Sequence, residues 1–226
     1  MLGGMIQAIG WAFLPVLAWP VLHLIFGQTP IIRNLSAALI STIDNLIFYL
    51  GEAAKWLLPI LVLSVAASVF ALSIFGVTTT KWLESAKYLQ ALIIMLGAAT
   101  TLLASQHVRV DIFHTRMTEL GKARVELIGF FLLMLPVCIL LIWDSQSFVS
   151  FSWAIREGSS EADGIRGVYI LKTLIPIFAV TMLMQGLSIT TRAAMCLRGQ
   201  TRPARPKGVP PFFRSAYGKR GNGDAS

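Results

Sequence analysis

The sequence predicts an all-α integral membrane helix bundle: four core transmembrane helices plus an N-terminal apolar helix that is either a fifth span or a re-entrant segment. Two observations carry the prediction. Four long apolar runs are bounded by charge: Trp56 to Thr80 between Lys55 and Lys81, Tyr88 to Val108 between Lys87 and Arg109, Leu127 to Trp143 after Glu126, and Thr173 to Thr191 between Lys172 and Arg192. A hydrocarbon core of about 30 Å takes roughly 20 residues of helix, because inside lipid every backbone N–H and C=O must be paired within its segment. Composition agrees. The 226 residues are 55% hydrophobic and 13% charged, where a soluble domain carries about 25% charge, and the mean hydropathy is +0.70.

The elements follow in chain order. No charged side chain precedes Arg33, and Pro15 and Pro20 interrupt a stretch that otherwise reads as helix from Met5 to Phe26. It lacks the basic start and small-residue end of a secretory signal. If it spans, its missing positive charge places the N-terminus outside, with Arg33 and Lys55 inside; the alternative is a Pro-broken helix that re-enters or lies on the surface. Next, Leu35, Leu39, Ile43, Leu46, Ile47 and Leu50 recur at helical spacing, with Ser36, Ser41, Asp44 and Asn45 elsewhere round the helix. Asn34 or Ser36 would cap its start. This amphipathic helix either lies in the interface plane or links to the bundle from the cytoplasmic side. Residues 1–54 thus form an N-terminal apolar and interfacial unit, 55–197 the four-helix membrane domain, and 198–226 a tail.

Charge sets the topology. Most of the 19 basic residues fall in the loop after the second run (Arg109, Arg116, Lys122, Arg124) or in the tail from Arg192 to Arg220. Two spans separate those segments, so both share one face, and the positive-inside rule makes it cytoplasmic. The C-terminus is therefore expected on the cytoplasmic side of the membrane. The loop of residues 150–167, with Arg156, Glu157, Glu161, Asp163 and Arg166, faces outward. The tail is rich in Pro, Gly and Arg and reads as disordered, not as a nucleic-acid-binding segment. Cys138 and Cys196 lie in or beside apolar runs and read as small core residues.

The chemistry is sparse. His23, His107 and His114 show no metal-binding spacing, no phosphate loop follows a strand, and no nucleophilic triad stands out, so neither an enzyme nor a cofactor is expected. Intramembrane charge, the usual mark of a transport pathway, is nearly absent; Asp144, near the outer end of the third run, is the exception. Gln90 and Gln185 are uncharged polar groups able to hydrogen-bond between helices. Ala91, Gly97, Ala98, Ala99, Thr100, Thr101 and Ala104 form a surface that lets another backbone approach closely. Trp56, Trp82, Trp143 and Trp153 read as belt anchors at the water interfaces.

The loop Gln106-His107-Val108-Arg109-Val110-Asp111 resembles the His-Val-Arg-Val-Asp signature of the DctQ-type small permease subunit of tripartite ATP-independent periplasmic (TRAP) transporters. Glu84, Tyr88-Leu89-Gln90-Ala91-Leu92, Met95-Leu96-Gly97-Ala98-Ala99, Glu157-Gly158-Ser159, Leu171-Lys172, Leu174-Ile175-Pro176 and Gln185-Gly186 fit the same pattern in order, from Trp56 to Leu197. The chain departs from it at Leu72-Ser73-Ile74-Phe75-Gly76, where members often carry an Arg-Tyr pair, and in its apolar N-terminal extension. The resemblance implies a membrane scaffold packed against a large permease subunit of DctM type, which holds the substrate and sodium sites. It also implies an extracytoplasmic solute-binding protein that delivers an organic acid, commonly a carboxylate. On this view His107, Arg109 and Asp111 lie at the inner interface, against lipid or the large subunit, and Glu84, Gln90, Asp144 and Gln185 are candidate partner contacts. The competing readings are a non-transporting membrane adaptor or assembly protein and a small homo-oligomeric channel or exporter.

Overall fold

The computed structural model describes residues 17–76, 79–104, 117–161 and 163–200, together with Pro203 and Pro206. It is helical throughout, with no strand among the described residues: α1 (Trp19–Phe26), α2 (Pro30–Phe75), α3 (Thr80–Leu103), α4 (Glu119–Ala154) and α5 (Val168–Leu197). Four of these, α2 to α5, are long and apolar enough to cross a membrane. The end of α1 is all that is described of the N-terminal apolar segment; whether that segment spans rests on residues 1–16, outside the described residues.

Helix α2 runs unbroken for 46 residues. The segment Leu35–Leu50, read from sequence as a helix of its own, is continuous with the first apolar run. Nothing between them stops a helix: Gly51 is tolerated, and the first Pro beyond it is Pro59. Its buried side only partly coincides with the apolar stripe: Ile43 and Ile47 are in the core and Leu39 and Leu50 pack against it. Ser36, Ile40, Ile43, Asp44 and Ile47 face inward, while Leu35 and Leu46 are exposed. The helix ends at Gly76, whose φ of 63° is the left-handed conformation that a helix-terminating glycine adopts at no steric cost.

Helix α4 opens on Thr118, whose hydroxyl accepts from the Gly121 N–H at 3.2 Å. A π-turn at Phe130–Met134 follows. Pro136 has no N–H and its ring crowds the carbonyl of residue 132; the wider turn just before it absorbs both defects. Helix α5 is the hub. It packs against α1, α2, α3 and both halves of α4, and carries Leu183, Leu187, Ala179 and Ala194 in the core.

Close approach is made by two glycines outside the small-residue stretch of α3. A Cβ on Gly51 would sit 2.3 Å from Thr100 Oγ1 across the α2–α3 seam, and one on Gly186 would sit 2.5 Å from a Phe130 ring carbon across the α4–α5 seam. Gly97, by contrast, faces nothing within 4 Å. Gly186→Ala should therefore overpack the seam and cost about 1–3 kcal/mol, lowering the thermal unfolding temperature of the detergent-solubilised chain. Gly97→Ala should leave that temperature unchanged or raise it.

Candidate functional site

The two carboxylates that the bundle buries, Asp44 and Glu84, lie in two polar layers, one at each end of α5. At the Leu197 end, Asp44 of α2 is fully buried. Its Oδ1 accepts from Ser188 Oγ at 2.6 Å and Gln185 Nε2 at 3.4 Å, and its Oδ2 accepts from Arg192 at 2.5 Å. Gln185, Ser188 and Arg192 share one stripe of α5 because they recur at helical spacing. The other guanidinium nitrogen donates to the Pro203 carbonyl at 2.5 Å. Removing a carboxylate from water costs several kcal/mol unless a charge and further hydrogen bonds compensate; here three donors converge on it. Beside this cluster Thr100 Oγ1 of α3 donates to the Ile47 carbonyl at 3.1 Å, so the same level of α2 is held by two neighbours.

At the opposite end, Glu84 sits at the start of the second turn of α3. It is buried and accepts from the Ile165 N–H at 2.6 Å and from the Ser159 hydroxyl. The loop thus captured has no room at Gly164, where a Cβ would lie 2.2 Å from Ser159 and 2.9 Å from Glu84. Glu157 pairs with Lys172 of α5 at 2.5 Å and accepts from the Ser152 hydroxyl of α4. The Lys172 ammonium also lies 3.9 Å from the Phe148 ring centroid. The Lys172 bond, and after it the Ser152 hydroxyl, hold the Glu157 carboxyl below its ordinary value. Lys81 reaches the loop through an exposed pair with Asp163 at 2.6 Å.

The structure separates the residues singled out by sequence. Glu84 spends its carboxylate inside the chain, and so does the Gln185 amide nitrogen, while Gln185 Oε1 is buried without a hydrogen-bond partner among the described residues. Gln90 and Asp144 are exposed on the outside of α3 and α4, Asp144 with no ion pair among the described residues. His107, Arg109 and Asp111 lie outside the described residues. Several positions that carry the family resemblance turn out to make the seams: Glu84, Glu157 and Ser159 tie down the loop, Lys172 anchors it to α5, Gln185 meets Asp44, and Gly186 admits the Phe130 ring. Sequence reasoning missed Asp44, Ser188 and Arg192 as a unit. The available sign was a lone carboxylate on a mostly apolar helix, which needs a cation somewhere in the bundle. No group of three His, Cys, Asp or Glu residues among those described is arranged to hold a metal ion.

These features define a multi-pass helical membrane protein whose buried charged groups serve helix–helix seams. The chain matches the family of tripartite ATP-independent periplasmic transporters, DctQ component, over residues 43–195. It belongs to that family, the small membrane subunits of TRAP transporters, which are transporter components and not enzymes. The matched stretch encloses both Asp44 and Arg192. No curated protein and no solved structure matches the chain.

Two outcomes test the layers. Asp44→Ala should strand a buried guanidinium and cost about 3–5 kcal/mol, read as a fall in the unfolding temperature in detergent; Asp44→Leu combined with Arg192→Met should recover most of it. The loop pair should be complete above the ordinary Glu pKa of 4.5 and be lost as pH falls through the lower value of the folded state. Amide protection across residues 157–167, corrected for intrinsic exchange, should accordingly fall in acid, and Glu157→Gln should lower it at neutral pH while shrinking the acid step.

Proposed function

We propose that this chain is the non-transporting scaffold of a sodium-coupled tripartite transporter that imports an organic acid. A DctM-type large permease subunit carries out the transport, and an extracytoplasmic solute-binding protein delivers the solute. The observation that carries the reading is the fate of the buried charges. Asp44, the carboxylate best placed to take part in an ion pathway, is consumed by Arg192, Ser188 and Gln185 of the same chain. The two buried carboxylates among the described residues, Asp44 and Glu84, are both held by donors of the same chain, which supports placing the solute and sodium sites, and the moving parts, on a partner.

On this reading the chain lies in a bacterial inner membrane with its C-terminus cytoplasmic. The loop between α4 and α5 faces the binding protein. His107, Arg109 and Asp111 sit at the inner interface with the large subunit or lipid headgroups, and Gln90 and Asp144 supply polar contacts on the outer surface of the bundle. Residues 55–197 form the membrane domain, flanked by the N-terminal unit and the basic tail.

Sodium-gradient-driven uptake of a panel of organic acids into proteoliposomes tests this, with this chain, its large membrane subunit and the binding protein present together and each omitted in turn. Uptake should require all three, and Asp144→Asn should leave it within about twofold, as expected of a surface substitution. Full uptake without this chain would make it a dispensable adaptor. Uptake by this chain alone would make it a channel or carrier in its own right.

A further inference from the structure

The short helix α1 is fastened to the end of α5 by a polar cluster that the transporter reading does not use. At its centre His23 is fully buried. Its Nδ1 lies 2.7 Å from Ser36 Oγ of α2 and its Nε2 lies 3.0 Å from Gln200 Oε1, just past α5. The neighbours fix which nitrogen carries the proton. Gln200 Nε2 donates to the Gly27 carbonyl at 2.6 Å, so Gln200 presents its oxygen to the ring, and Nε2 of His23 must be the donor. Trp19 Nε1 donates to Ser36 Oγ at 2.9 Å, which leaves the Ser36 hydrogen free to point at an unprotonated Nδ1. With a neutral imidazole every donor in the cluster has an acceptor.

A second ring proton breaks that arrangement. Nδ1–H would then take the second lone pair of an oxygen already accepting from Trp19, and the Ser36 hydroxyl, its acceptor on the ring gone, would have to turn away. The charged groups on the elements around the ring do not welcome a cation either. Arg198, at the end of α5, donates to the Ile25 carbonyl at 2.9 Å and so sits against α1. Arg33 in the first turn of α2 is exposed and also positive. Asp44, about two helical turns beyond Ser36 on α2, is already committed to Arg192.

We propose that this cluster is a pH-sensitive clasp: neutral His23 locks α1 to the chain emerging from α5, and protonation of His23 releases them together. Burial holds the imidazole below its ordinary pKa, with the Arg198 charge adding to burial and the Gln200 bond opposing it. The sign follows. The opened state takes up a proton more readily than the closed one, so the clasp is complete above the ordinary imidazole pKa of about 6.5 and weakens as pH falls from there toward the lower value of the closed state. Because Ser36 opens the inward face of α2 and Gln200 follows α5, the same event frees α1 and the root of the basic tail.

The test is amide hydrogen exchange on the full chain in phospholipid nanodiscs at pH values on either side of about 6.5, corrected for intrinsic exchange. Protection across α1 and Arg198–Gln200 should fall about tenfold per pH unit below the opened-state pKa, while the middle of α5 stays constant. His23→Gln, neutral throughout, should abolish the step. Unchanged protection in the wild type, or an equal step in His23→Gln, would overturn the proposal. Should that variant not fold, imidazole nitrogen NMR of the chain carrying His107→Gln and His114→Gln decides: a neutral Nε2–H ring at pH 7 supports the clasp, and an imidazolium or an Nδ1–H ring rules it out.

Discussion

The pairing of Asp44 with Arg192 is the constraint from which the rest of the bundle takes its register. In lipid, apolar faces gain little by meeting each other, so helix seams are chosen by close packing and by polar groups that have no other partner. A fully buried carboxylate admits few solutions, and this one fixes both the rotation and the height of α2 against α5. With that height set, Ile47 and Gly51 arrive opposite Thr100, and the α2–α3 seam closes where a side chain at position 51 would forbid it. Helix α5 consequently touches every other helix, and it is the helix that buries most polar side chains. Thr190 and Thr191 satisfy their hydroxyls on the carbonyls of Gly186 and Leu187 one turn earlier, which leaves the stripe of Gln185, Ser188 and Arg192 for the neighbour.

The far end of the bundle solves a different problem. There a connecting loop must be held close to the helix ends, and two carboxylates do it from different sides. Glu84 on α3 gathers the Ser159 hydroxyl and the Ile165 backbone, and Glu157 within the loop binds α5 through Lys172. Between the two polar layers lie Leu183, Ala179, Cys138 and Phe130, all buried and all apolar. The division of charged ends and an uncharged middle is the one a rigid membrane support needs, since nothing in that middle rewards a change of helix register.

Much of this was legible beforehand for a plain reason. Spans announce themselves because lipid imposes a length and a polarity on every residue in a run, so four helices and their order could be read directly. The family, too, was legible from Glu84, Glu157-Gly158-Ser159, Lys172 and Gln185-Gly186, which the structure shows to be seam residues. Periodicity was only partly right at Leu35–Leu50: it found Ile43 and Ile47, which are buried, but it assumes that the buried face is wholly apolar. There Ser36 and Asp44 are buried through hydrogen bonds to His23 and Arg192, whose positions only tertiary structure could supply. Arg192 was equally opaque: a cation at the end of a span fits a topology rule so well that its role as a counter-ion is hidden.

The length of α2 has a mechanical meaning of its own. At 46 residues it is about 69 Å long, more than twice the roughly 30 Å of a hydrocarbon core. The stretch from Trp56 to Phe75 already matches that thickness, so the part before it runs on as a stiff outrigger of about 39 Å, pinned to α5 by Asp44 partway along. A displacement applied at its Pro30 end, where α1 is attached through Ser36, is passed along one continuous rod, and its lever arm is set by where that pin lies.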